Sequence, residues 1–163
     1  MNAQEFLTLF QKKEVAQSFD YYDDVVAILK EVRENKDEAL KTYSQQFDQQ
    51  TLTSIKVPVE KLKASYDALE PQVKASLETI KARIEAYGTA IKYQDKSLGE
   101  FRYVYRPLEK VGVYVPGGTA LYPSSVLMTV VPALVAGVSE IHVVTPTFSD
   151  NNITFATLYL CGV

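Results

Sequence analysis

The chain has 163 residues, a net charge of −3 and a pI of about 5.2, with 47% hydrophobic and 23% charged residues. This length suffices for one ordinary domain or two small lobes, and the composition is that of a globular protein rather than a disordered one. The acidic balance and the lack of a basic stripe argue against nucleic acid as a partner.

Membrane and secreted classes are also disfavoured. The most apolar run, residues 126–138, is shorter than the roughly 20 residues that a membrane helix needs, and Pro132 interrupts it. The N-terminus, MNAQEFLTLFQKKE, lacks the pattern of a signal peptide. A single cysteine, Cys161, excludes an internal disulfide and fits a reducing cytosol. These features predict a cytoplasmic protein without membrane contact.

Charge is distributed unevenly along the chain. Residues 1–100 hold 14 of the 17 Lys and Arg residues and 17 of the 20 Asp and Glu residues. Solvated helices need charged outer faces, whereas strands that are buried on both faces exclude charge. The pattern predicts a helical region at 1–100 and an α/β domain at 101–163.

Apolar residues at helical spacing predict several helices in the first region. One helix lies near the N-terminus, a second begins near Asp23 and is interrupted at Asn35, and further helices follow Asp37, Pro58 and Pro71. The last of these has the most regular stripe, which favours packing on neighbouring helices over a coiled-coil seam. Its members are Val73, Leu77, Ile80, Ile84, Tyr87 and Ile91. Residues that share one helical face in the first two helices are Phe6, Leu7 and Phe10, and Val25, Ile28, Leu29 and Val32. Residues expected to face inward in the helices after Asp37 and Pro58 are Leu40, Tyr43 and Phe47, and Val59, Leu62, Tyr66 and Leu69.

The period changes after residue 100. Residues 101–105 alternate as in a partly exposed strand, and the β-branched run 111–115 predicts an interior strand of a parallel sheet. A helix capped by Ser124 or Ser125 and ending at Gly137, a strand at 141–144 and a last helix that ends at Gly162 complete the order. Ser149 or Asp150 is the expected cap of that last helix. This order predicts the start of a doubly wound α/β sheet without a third strand, which directs attention to the loop at 114–125.

The residues themselves permit little chemistry. The loop YVPGGTALYPSS has neither the GxGxxG dinucleotide fingerprint nor a Walker A sequence, so its two glycines fit a simple turn as well as a ligand loop. His142, the single histidine, fits a hydrogen-bonded residue of the sheet better than a ligand or a base. One histidine and one cysteine cannot build a typical zinc site, and Cys161 is expected to be a buried thiol.

One long run nevertheless resembles a known family. RPLEKVGVYVPGGTALYPSSVLMTVVPALVAGVSEIHVVTP, at 106–146, is similar to the signature region of histidinol dehydrogenases. VRENKDEALKTYSQQFD, at 32–48, and the segment RIEAY resemble that family's N-terminal helices, so the resemblance covers essentially the whole chain.

The resemblance implies a cytosolic, homodimeric, zinc-dependent enzyme that oxidises L-histidinol to L-histidine through an aldehyde, in two steps that each reduce one NAD⁺. It implies an aldehyde dehydrogenase-like α/β architecture, with Rossmann-like domains that are incomplete. It also implies that Tyr114 contacts NAD, with Pro116, Gly117 and Gly118 as weaker candidates in the same loop.

The resemblance is to the N-terminal part of such enzymes, which are more than twice as long. It places their Glu-His catalytic pair and their Gln, His, Asp and His zinc ligands beyond Val163, so no catalytic or metal-binding residue is assigned here. A natural truncation, a disrupted reading frame or an expressed fragment would each give such a chain. We expect it to be inactive alone and to self-associate through an unpaired sheet edge near His142.

Two other interpretations stay open at this point. The chain could be a non-catalytic α/β module that binds a nucleotide or a partner protein. It could also be a helical interaction protein that uses the apolar stripe of residues 73–91.

Overall fold

The computed structural model describes residues 2, 4, 21–117, 120–146 and 152–163. The predicted helix at Phe6 to Phe10, the predicted caps Ser149 and Asp150, and the candidate Gly118 lie outside this described part. Within it the chain forms two compact units, one up to Tyr43 and one from Ser44 onwards. The division into 1–100 and 101–163 rests on the charge distribution and stays a prediction.

The first helix of the described residues, α1 (Tyr22–Asp48), consists of two helical pieces. Lys36 has φ 50° and ψ −122°, which breaks the helix one residue after the interruption predicted at Asn35. Ala39 is its buried residue, whereas Leu40 and Phe47 are exposed. The predicted inward orientation of Leu40 and Phe47 is therefore wrong, because helical spacing defines a face but does not supply the neighbours that would cover it.

Helices α2 (Val59–Asp67) and α3 (Pro71–Ile91) begin where their prolines predict, after Pro58 and at Pro71. Leu62 and Leu77 are buried. The predicted α3 stripe is divided between two environments, because Val73 and Ile84 also pack against the core while three members stay exposed. The exposed members are Ile80, Tyr87 and Ile91, and Val59 of α2 is exposed as well.

An antiparallel hairpin follows, formed by β1 (Lys96–Leu98) and β2 (Phe101–Tyr103). Its turn contains Gly99, whose φ of 58° lies in the left-handed region that glycine adopts readily. The sequence predicted the second strand but not the first, since KSL carries no apolar alternation of its own.

The α/β part has the predicted order. It comprises β3 (Lys110–Tyr114), α4 (Pro123–Ala136), β4 (Glu140–Val144) and α5 (Asn152–Cys161). Strands β3 and β4 pair in parallel, from Lys110 opposite Glu140 to Tyr114 opposite Val144. The sheet has two strands among the described residues, so the prediction of an incomplete α/β sheet is confirmed.

The bounds of α4 and α5 test the predictions about where these helices begin and end. Gly137 and Gly162 end α4 and α5 with φ of 97° and 77°. The expected Ser124 or Ser125 cap is wrong, since α4 begins at Pro123 and has no side-chain cap. Pro132 does not mark the start of α4, because it lies inside a helix that begins nine residues earlier, and the alternative that it kinks the helix stays a prediction.

The core lies between α4, α5, α2 and α3. Its fully buried centre is contributed by α4 and by Val115, and α5 adds Phe155, Leu158 and Cys161. Val113, Ile141 and Val143 pack one sheet face against this core, whereas Lys110, Gly112, Tyr114, His142 and Val144 are exposed on the other face. Strand β3 is thus covered on one side, and the prediction of an interior strand buried on both faces is wrong. No helix among the described residues is both long and apolar enough to cross a membrane.

Candidate functional site

The candidate site is the loop that leaves β3 at its carboxyl end. Tyr114 and Val144 form the last pair of the parallel ladder, and the Val115 N–H donates a further 2.9 Å hydrogen bond to the Val144 carbonyl. The chain therefore stays attached to β4 up to Val115 and turns away at Pro116. This is the edge at which open α/β sheets bind their ligands.

Alternation along the strand places Val115 and Tyr114 on opposite faces of the sheet. Val115 is completely buried, which fixes the end of the strand in the core. The Tyr114 ring is 65% exposed and its neighbour Val144 is 61% exposed, so both offer apolar surface to solvent. Pro116 is exposed and Gly117 is half-buried. The structure thus brings together three of the four candidate residues, and Gly118 lies outside the described part.

The start of α4 lies a few residues further along the same loop. The Tyr122 carbonyl accepts the N–H of Ser125 at 3.0 Å and that of Val126 at 3.5 Å, and Pro123 has no N–H. Free first-turn amides are what make a helix N-terminus attractive to a phosphate. Ser125 and Val126 thus use their N–H groups within the turn and Pro123 has none, which leaves fewer amides for an anion at the start of α4. The exposed Tyr114 ring is the more distinctive feature of the loop.

A charged cluster that the sequence did not suggest lies on the same exposed sheet face. Glu140 accepts from Lys110 at 2.6 Å and contacts His142 Nε2 at 2.6 Å. The hydrogen bond from Lys110, and after it the one from His142, lower the pKa of the Glu140 carboxyl. His142 is thus a hydrogen-bonded sheet residue, as predicted. The parallel register of β3 and β4 sets Lys110 directly opposite Glu140. The opposite charges of these two residues would have indicated the cluster once that register was known.

Gly112 lies opposite His142, between this cluster and Tyr114. A Cβ at Gly112 would meet nothing within 4 Å, so the face is open there. The exposed sheet face is therefore continuous from the charged cluster to the loop.

The described residues do not fit a zinc ion. They contain no group of three or more His, Cys, Asp or Glu side chains that could hold a metal. His142 is engaged by Glu140, and Cys161 is buried in α5. Burial raises the pKa of the Cys161 thiol to about 11, which disfavours the thiolate that a metal or an electrophile would need.

A cavity of about 200 Å³ lies elsewhere, between α3 and α4. Its polar groups are used within the protein, since Lys92 Nζ donates to the Val135 carbonyl at 2.8 Å and Lys81 pairs with Glu85 at 3.5 Å. The loop at Tyr114 is an open surface and this cavity does not adjoin it, so the cavity adds no residue to the candidate site.

Comparisons with known proteins agree with this geometry. A sequence model of the family described as histidinol dehydrogenase matches residues 11–163. A histidinol dehydrogenase of Staphylococcus saprophyticus is 43% identical over 162 residues, which cover 96% of this chain and 38% of that protein. One from Staphylococcus epidermidis is 40% identical and covers all of this chain and 40% of its own length.

A solved structure is similar throughout as well. The crystal structure of histidinol dehydrogenase from Elizabethkingia anophelis matches with a TM-score of 0.87 and 26% sequence identity, over all of this chain and 39% of that one. The 163 residues thus span about two fifths of the length of the relatives that they match. The family match over almost the whole sequence, and the shared fold, show that this chain belongs to the histidinol dehydrogenase family.

Proposed function

We propose that these residues form the part of a cytoplasmic, homodimeric histidinol dehydrogenase that faces NAD. The reaction would be the oxidation of L-histidinol to L-histidine with two NAD⁺. The observation that carries the proposal is the position of Tyr114, which combines an exposed ring with the carboxyl end of a parallel strand in a chain of this family. NAD⁺, when bound, supplies the hydride acceptor.

The chain's own residues would position that cofactor. The Tyr114 ring offers a flat face on which an aromatic heterocycle stacks, and its hydroxyl can donate or accept one hydrogen bond. Val115 keeps the strand end in place because it is wholly buried and hydrogen-bonded to Val144. Gly117 has no side chain, which allows a ligand to approach the backbone closely.

Zinc and the chemical steps would depend on other parts of such an enzyme. No group of three or more His, Cys, Asp or Glu side chains among the described residues could hold the zinc ion. We therefore propose that the 163 residues bind NAD weakly and do not oxidise L-histidinol by themselves.

A calorimetric titration of the chain with NAD⁺ tests this function. Tyr114→Ala should weaken NAD⁺ binding by roughly 3- to 10-fold, the value of one aromatic stacking contact. Tyr87→Ala is the matched control, because Tyr87 is 67% exposed against 65% for Tyr114 but lies on α3. Tyr114→Phe separates the ring from its hydroxyl.

Two results would contradict the proposal. One is NAD⁺ binding that Tyr114→Ala and Tyr87→Ala reduce equally. The other is zinc- and NAD-dependent oxidation of L-histidinol by the purified chain, which would show that its residues supply the base and the metal site after all.

A further inference from the structure

One residue of α1 has a backbone conformation that is unfavourable for every residue with a side chain. Lys36 combines φ 50° with ψ −122° in the middle of a helix. Glycine adopts such angles without a steric penalty, whereas in other residues the Cβ crowds the backbone. Strained conformations of this kind are populated roughly 5- to 150-fold less than ordinary ones, and they cluster at positions where a protein switches between two forms.

The neighbours of Lys36 along the chain do little to hold it in this conformation. Residues 33–38 are all exposed, and Ala39 is the first buried residue after the bend. Strain usually persists where tightly packed neighbours impose it. At Lys36 the strain is therefore stored in an open segment, which can release it by a change of its own backbone angles.

Local interactions complete the helix on either side of the bend. Before the bend, Asn35 Nδ2 donates a 2.7 Å hydrogen bond to Glu31 Oε1. After the bend, Lys41 Nζ pairs with Glu38 Oε1 at 2.7 Å. Neither interaction joins one piece of the helix to the other, so a change at Lys36 leaves both pieces intact.

Opposing effects bring a bent and a continuous α1 close in free energy. Relaxing Lys36 to helical angles removes its strain, which favours the continuous form. The charges of Asp37 and Glu38 suit the N-terminus of a new helix, and Ala39 is 2% exposed, which both favour the bent form. Each of these effects changes the ratio of the two forms by a modest factor, so neither form excludes the other.

We propose that Lys36 is a hinge at which α1 alternates between a bent and a continuous helix. The hinge changes the direction of the first piece, which carries the exposed Val25 and Leu29, relative to the second piece. The chain spans about two fifths of the length of its relatives, and contacts from the remaining three fifths would select one of the two forms. In the 163-residue chain both forms are populated.

A distance measurement by pulsed electron paramagnetic resonance tests the hinge. Spin labels at Ala27→Cys and Leu40→Cys lie on opposite sides of Lys36, and Cys161→Ala removes the third thiol. A continuous helix separates the two labelled positions by about 20 Å, because it rises about 1.5 Å per residue, and a bend shortens this distance. The labelled chain should give both distances.

Two substitutions at the hinge itself shift the ratio of the two distances. Lys36→Gly removes the strain of the bent form and weakens the continuous helix, so the ratio of short to long distances should rise at least about 10-fold. Lys36→Ala keeps the strain, so the ratio should stay within about threefold of the unsubstituted chain. Lys30→Gly is the matched control, because Lys30 is an exposed lysine inside the first piece, and it should leave the ratio unchanged.

The proposal fails on either of two results. One is a single distance that Lys36→Gly leaves unchanged, which would mean that α1 has one rigid form. The other is an equal response to Lys36→Gly and Lys30→Gly, which would mean that general weakening of the helix changes the distance. Circular dichroism of each variant verifies the fold. If Cys161→Ala disturbs the fold, the labels are attached without it, because the buried Cys161 thiol reacts slowly.

Discussion

Gly88 shows how one residue positions two helices. It lies within α3, where a Cβ would come 3.5 Å from Val135 Cγ1 on α4. Lys92, one turn further along, donates to the Val135 carbonyl. Val135 is therefore one point of contact between α3 and α4, and the small residue at position 88 allows their close approach there.

We predict that Gly88→Ala stabilises the protein. The added methyl group would lie at ordinary van der Waals distance from Val135, and alanine favours a helix interior by about 1 kcal/mol over glycine. The free energy of unfolding in urea should rise by about 0.5–1 kcal/mol.

Gly137→Ala is the contrasting control. Gly137 has a φ of 97°, which an L-residue adopts only with strain, so this change should lower the free energy of unfolding by about 1–2 kcal/mol. A loss of stability in Gly88→Ala as well would mean that α3 and α4 cannot accept even one methyl group.

Helix α4 is the element that links the core to the candidate site. Val126, Leu127, Val130 and Val131 are wholly or almost wholly buried, and the loop from Tyr114 leads into its first turn. The two prolines of α4 differ in how much each one destabilises the helix. Pro123 occupies the first turn, where its missing N–H is not needed, whereas Pro132 lies in the interior, where it removes a hydrogen bond to the Met128 carbonyl.

We predict that the two Pro→Ala changes in α4 differ in effect. Pro132 is exposed, so Pro132→Ala restores a backbone hydrogen bond without opening a cavity, and the free energy of unfolding should rise by about 1–3 kcal/mol. Pro123→Ala should change it by less than about 0.5 kcal/mol. Equal effects in urea denaturation would show that position 132 does not behave as a helix interior.

The single thiol of the protein, that of Cys161, is buried in the core. Cys161 packs with Phe155 and Leu158 in the same cluster as the centre of α4. Because burial raises the pKa of this thiol to about 11, it retains its proton at a pH at which an unfolded thiol is ionised. Stability should therefore fall as the pH rises from the ordinary thiol value towards 11, and should not respond to this group at lower pH.

We predict that the thiol reports unfolding of the whole core. Alkylation of Cys161 by iodoacetamide at pH 8 should be slower in the folded chain than in urea by on the order of 100-fold. Cys161→Ala should also show a smaller loss of stability between pH 7 and pH 10 than the wild type. Rapid alkylation of the folded chain would mean that α5 opens locally without global unfolding.

Much of this fold was predictable because its signals are local. Pro58 and Pro71 indicated the starts of α2 and α3, Gly137 and Gly162 indicated the ends of α4 and α5, and the β-branched runs indicated β3 and β4. Each of these residues acts through its own backbone geometry, which needs no distant neighbour. Tyr114 as a residue that contacts NAD remains a prediction, which rests on a long run that resembles one family.

Tertiary structure decided which faces are covered. Helical spacing could not distinguish Leu77, which is buried, from Ile80 and Tyr87, which are exposed on the same helix. The short strand β1, the ion pairs of Glu140 and the stacked tyrosines of the hairpin equally depend on residues brought together by pairing.

The sequence by itself thus determined the family, the order of the elements other than β1, and the element ends that a proline or a glycine marks. The three-dimensional arrangement decided that β3 is covered on one side only, that Tyr114 is exposed beside Val144, and that Leu98 and Phe101 of the β1–β2 hairpin are exposed to solvent. The reason is physical. Backbone preferences belong to single residues and short segments, whereas burial belongs to pairs of surfaces that are far apart in the chain.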